Sequence, residues 1–132
     1  MESQLVLLDT SVLIDYFRKK EKEKTFFITL THKFDGFCIP SITEFEIYTG
    51  ATDIQFSFWE EILKNIRVLP FDIRSARAAV SVVNSLRLKR KTIDKADLFI
   101  AAIAIANNLP IATLNIKHFD SVDNLVLVKH IN

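Results

Sequence analysis

The stretch Leu5-Val6-Leu7-Leu8-Asp9-Thr10-Ser11-Val12-Leu13-Ile14 decides the reading of the fold. Aliphatic residues in unbroken succession, without polar alternation, mark a strand buried on both faces, as in a parallel sheet covered by helices. Asp9 closes that run, and Thr10 and Ser11 open a helix through about Arg18. An acid delivered at the end of a buried strand stands at the carboxyl edge of the sheet, where open α/β sheets bind ligands. An ionised carboxylate beside aliphatics also requires a cation or hydrogen-bond donors.

Outward from this stretch the same alternation repeats. A helix is expected from about Thr25 to Phe34, stopped by Asp35-Gly36, then a short strand Phe37-Cys38-Ile39 ended by Pro40. Ser41-Ile42-Thr43-Glu44 begins a helix running toward Gly50, and Phe56 to Asn65 forms another. Arg67-Val68-Leu69 is a third strand, and Ile73 to about Leu88 a long helix with one apolar stripe. Asp94 to Asn107 is apolar nearly all round and reads as a buried helix. Strands follow at Ile111 to Leu114 and Leu125 to Val128. Strands alternating with helices predict an α/β fold: a three-layer α/β/α sandwich with a central parallel sheet and right-handed crossovers, in one domain over residues 1–132.

Composition narrows the function classes. The 132 residues carry a net charge of +1, so a strongly basic nucleic-acid coat is excluded and any contact with a polyanion must use local patches. Arg87, Lys89, Arg90 and Lys91 form one such patch, or equally a solvated helix end. The single Cys38 lies in an apolar strand, which suits a reducing compartment and a packing role. The sequence shows no secretory leader and no apolar run of membrane-spanning length, so a cytoplasmic protein with no membrane association is expected. Two glycines leave no phosphate-cradling loop, and His32, His118 and His130 lack zinc-ligand spacing.

Three acids at element junctions remain: Asp9, Glu44 and Asp97. Clustered carboxylates repel one another unless a cation joins them, and an all-oxygen donor set selects Mg²⁺, with Mn²⁺ as a substitute. Such a site supports phosphodiester hydrolysis, with Asp9 and Asp97 binding the ion and Glu44 completing its shell or orienting the attacking water. Each acid also fits a helix cap. Asp9 has N-cap spacing, Ser41-x-x-Glu44 the form of a capping box, and Asp94 reads as the cap of the helix whose first turn holds Asp97. For Glu44 both readings stay open.

Leu7-Leu8-Asp9-Thr10-Ser11-Val12-Leu13-Ile14, Ser41-Ile42-Thr43-Glu44, Asp97-Leu98-Phe99-Ile100-Ala101-Ala102 and Ala112-Thr113-Leu114-Asn115 with His118-Phe119 together resemble the PIN domain family, within it the small VapC-like toxins. The resemblance implies a magnesium-dependent endoribonuclease acting on RNA, a homodimer, and a cognate antitoxin that silences it. It carries the family's first three acids to Asp9, Glu44 and Asp97. At the fourth position many members have Asp where this chain has Asn115, with Asp120 five residues on, so Asn115 is expected to contact substrate rather than hold charge. The alternatives are a PIN-like binding module without catalysis, and a phosphoacceptor signalling domain, for which Asp72 is the nearest candidate.

Overall fold

The computed structural model describes residues 4–130. Five strands, β1 (Leu5–Leu8), β2 (Gly36–Pro40), β3 (Arg67–Leu69), β4 (Ile111–Ala112) and β5 (Leu127–Val128), form one parallel sheet in the order β3-β2-β1-β4-β5. Seven α-helices surround it: α1 (Thr10–Arg18), α2 (Phe26–Thr31), α3 (Ser41–Gly50), α4 (Asp53–Leu63), α5 (Ile73–Leu88), α6 (Lys95–Ala106) and α7 (Ile116–Phe119). The expected three-layer α/β/α sandwich is therefore present.

Side-chain alternation along the strands divides the core into two layers. Leu7, Cys38 and Ile111 face α5 and α6, while Val6, Leu8, Ile39 and Ala112 face the layer of α1, α2 and α4. Since both faces are covered, β1 has no polar side, which explains its continuous aliphatic run. Each fully buried aliphatic contributes about 1.5–3 kcal/mol relative to exposure. Cys38 is one of these packing residues, and burial pushes its thiol pKa up. In α6, small Ala101, Ala102 and Ala104 are fully buried, allowing the helix to lie close to its neighbours. Its one acid, Asp97, is confined to the first turn.

Several element ends differ from the sequence expectation. Helix α2 stops at Thr31 because the chain is drawn to the start of β1: Asp35 N donates to Gln4 O at 2.8 Å, and Gln4 N to Asp35 Oδ2 at 2.8 Å. Helix α4 starts earlier than expected, at Asp53, where Gln55 Oε1 accepts the Thr52 N–H at 2.9 Å. The capping box proposed for Ser41 and Glu44 does not form. Pro40 occupies the cap position and Ser41 is already helical. The charged stretch after α1 holds a 3-10 turn at Lys22–Lys24, whose Lys22 Nζ donates to the carbonyls of Tyr16, Phe17 and Lys19 at 2.7, 3.0 and 3.1 Å. It thereby closes the carboxyl end of α1.

Candidate functional site

The chain leaves β1 in one direction to build β2 and β3, and returns on the other side of β1 to build β4 and β5. The strand order thus reverses between β1 and β4, and the crevice beyond their carboxyl ends is where such sheets take ligands. Register pairs Leu8 with Ala112, so the next residues, Asp9 and Thr113, stand side by side at that crevice. Asp9 N donates to Ala112 O at 3.0 Å.

Asp9 has the backbone conformation of an N-cap, but its carboxylate does not cap α1. Instead Oδ2 accepts from Ser11 Oγ at 2.8 Å and from Thr113 Oγ1 at 2.8 Å. Each hydroxyl is itself aimed by a backbone N–H: Leu114 N donates to Ser11 Oγ at 3.1 Å and Asn115 N to Thr113 Oγ1 at 2.9 Å. With those lone pairs occupied, the hydroxyl protons are directed to Asp9. The carboxylate is 4% exposed, yet held by donors on one oxygen only. The same bond explains why β4 ends at Ala112 and not Leu114, since Thr113 turns to Asp9.

Glu44, expected at this edge, is not among the charges that act on Asp97. Its charge acts instead on Tyr48, one helical turn on, whose phenol is held above its ordinary range first by burial, then by Glu44 and Glu60. The neighbouring acid on the same helix takes the place: Glu46 Oε1 accepts from Thr10 Oγ1 at 2.7 Å. Thr10 Oγ1 also lies 3.0 Å from the hydroxyl of buried Thr43, and because Thr10 has one proton, the shorter bond to the carboxylate claims it. The helical period sets the two acids apart. At about 100° per residue, Glu44 and Glu46 lie on opposite flanks of the face marked by buried Thr43 and Ile47, each about 80° from its centre, and the flank of Glu46 is the one that meets Thr10. The period alone gives the two acids equal standing, so no local pattern in the sequence selects Glu46.

Asp97 enters from the first turn of α6, with His118 Nδ1 from α7 3.2 Å from its Oδ2. The Asp97 carboxyl pKa is raised, first by burial and then by the charges of Asp9, Asp94 and Glu46, against the opposing effect of His118. Three negative side chains from separate elements therefore act on one carboxyl group. Asp94 occupies the cap position of α6, as expected, but makes no side-chain cap bond. Asn115 stands exposed at the start of α7, and Asp120 at the far end of that helix, its Oδ1 3.5 Å from Ser121 Oγ. Asp72 is engaged elsewhere, capping α5: its Oδ1 accepts from Ser75 N and Ser75 Oγ, both at 2.9 Å.

Among the described residues no three or more His, Cys, Asp or Glu side chains already converge into a coordination sphere. The oxygens nevertheless suit a hard cation. Mg²⁺ takes one or two protein carboxylates and fills the rest of its shell with water and phosphate oxygens. Asp9 keeps an oxygen clear of its two hydroxyl donors, and the mutual repulsion at Asp97 is what a cation relieves.

The proton on Asp97 and a cation compete, which fixes the sign of a pH effect. A raised folded-state pKa means stability that is present below the unfolded value and lost as pH rises through the folded value. In chelator at neutral pH, Asp97→Asn is therefore expected to melt higher than the parent. Mn²⁺ affinity of the parent, followed by calorimetry, should rise from mildly acidic to neutral pH. A lower melting temperature for the variant together with a flat affinity profile would contradict the repulsive cluster.

The sequence profile of the PIN domain family matches residues 6–125. The chain belongs to the PIN domain family. It is 32% identical over 120 residues to Ribonuclease VapC1 of Methanocaldococcus jannaschii, covering 90% of this chain and 82% of that protein. Ribonuclease VapC of Rickettsia bellii is 30% identical over 128 residues, covering 91% and 92%. The fold superposes on VapBC2 of Rickettsia felis, solved bound to a DNA fragment from its promoter, with a TM-score of 0.83 at 23% identity, covering 97% of this chain and all of that one. FitAcB of Neisseria gonorrhoeae gives 0.77 at 24% identity, covering 92% and 95%. Among the described residues of this PIN domain, no helix is long and apolar enough to cross a membrane.

Proposed function

We propose that this PIN domain is a divalent-metal-dependent endoribonuclease, the toxin of a toxin–antitoxin pair. The observation that carries the reading is the acid set at the reversal of strand order, where Asp9, Glu46 and Asp97 from three elements bear on one crevice. Asp9 and Asp97 would hold the ion, Mg²⁺ or Mn²⁺. When bound, the ion polarises a phosphoryl oxygen and raises the acidity of a water molecule. Ser11 and Thr113 keep the Asp9 carboxylate oriented, and Thr10 keeps Glu46 toward the crevice, where it accepts a proton from the attacking water. Asn115, exposed at the rim, contacts substrate.

The surface at the carboxyl end of α5 favours a polyanion. Lys89 is committed to Asp123 at 2.6 Å and to Ser121 O, while Arg87, Arg90 and Lys91 are exposed. They draw RNA toward a crevice that is itself negative. The names of the relatives and the VapBC and FitAcB assemblies support both RNA as substrate and a cognate antitoxin as partner; a homodimer completes the reading. The test is purified protein, free of antitoxin, incubated with structured and single-stranded RNA. Cleavage with Mg²⁺ or Mn²⁺ and none in chelator is expected. Equal cutting in chelator, or none under any condition, overturns the proposal.

A further inference from the structure

We propose that His118 is a positioning residue for Asp97, its Nδ1–H taking up Oδ2 so that Oδ1 is the oxygen presented to a cation. The inference rests on the reading of Asp97 as an ion ligand. The three acids are not equally provided with partners. Asp9 has two hydroxyl donors and Glu46 has Thr10, whereas the only side chain set against Asp97 among the described residues is the imidazole of His118, 3.2 Å away. That separation lies within reach of an N–H donor. A carboxylate under repulsion from its neighbours and held by nothing else would swing away from them.

The chain invests structure in placing this ring. Helix α7 is four residues long and is anchored by Phe119, which is completely buried. The turn is closed by His118 N donating to Asn115 O at 3.0 Å. Asn115 and the Thr113 that holds Asp9 thus belong to the same short connection that delivers His118 to Asp97. The ring is 52% exposed, so replacing it removes a donor without opening a cavity.

Two measurements test this. In the metal-free protein, at a pH where the ring is neutral, ¹⁵N NMR should find the His118 proton on Nδ1, and Asp97→Ala should return it to Nε2, the position favoured without a partner. Mn²⁺ calorimetry should show His118→Leu weakening affinity by about 10–100-fold, the usual consequence of losing the partner of a ligand. His118→Asn, whose amide nitrogen stands where Nδ1 stood, should recover most of the loss. A parent ring protonated on Nε2, a Leu variant that binds like the parent, or an Asn variant as weak as the Leu variant overturns the role. If the parent itself binds no Mn²⁺, the hydrolase reading fails, and the NMR result still decides whether His118 holds Asp97.

Discussion

Asp9→Asn is expected to abolish RNA cleavage, by at least about 100-fold, while the protein stays folded. The lower bound follows from the losses of about 10–100-fold seen when only the partners of metal ligands are removed. Folding survives because an Asn side-chain oxygen can still accept from Ser11 and Thr113, the two hydroxyls that define this position. Removing the Asp9 charge also relieves one of the repulsions on Asp97. The variant should therefore lose Mn²⁺ binding in calorimetry and keep or raise its melting temperature in chelator. Asp9→Leu is a useful contrast, since it deprives both hydroxyls of their acceptor at a cost of about 1–3 kcal/mol for a buried unsatisfied group. An Asp9→Asn protein that cuts RNA at the parental rate would remove Asp9 from the chemistry.

The second large effect separates two acids two residues apart. Glu46→Gln should lower cleavage by about 100-fold, the scale of losing a positioned general base. Glu44→Gln should leave the rate within a few-fold of the parent. Glu46 is bonded to Thr10 and its charge reaches Asp97, whereas Glu44 acts on Tyr48 and is not among the charges on Asp97. Glu46 is exposed and Glu44 only partly buried, so neither change is expected to threaten the fold. Rates for both variants under single-turnover conditions provide the measurement. A dead Glu44→Gln beside an active Glu46→Gln would reverse the assignment.

Much of the architecture was legible because β1 and α6 are extreme in composition. A strand with no polar side and a helix apolar around most of its circumference have few places to go except the middle of a covered sheet. The positions of Asp9 and Asp97 at the ends of these two elements were legible for the same reason. The contact of Glu46 with Thr10 was not, because it joins residues 36 apart, while a box-like Ser-x-x-Glu spacing singled out Glu44. Pro40 took the cap position and left Ser41 inside the helix. Helix α7 escaped notice because four residues give no period to read, and its existence depends on the burial of Phe119. The strand order was likewise hidden, since parallel pairing between distant segments is written in no local pattern.

The bond between Asp9 and Thr113 joins positions 104 residues apart. A ribosome making this chain releases the first half of the acidic crevice long before the second half has been synthesised. Until Thr113 emerges and β4 docks beside β1, the acid at position 9 lacks one of its two hydroxyl partners and the crevice has only one wall. If the protein cuts RNA, the nascent chain stays harmless to its own message and to the ribosome beside it until that pairing is made. Premature termination anywhere before residue 113 then yields an inert fragment, not a partly active nuclease.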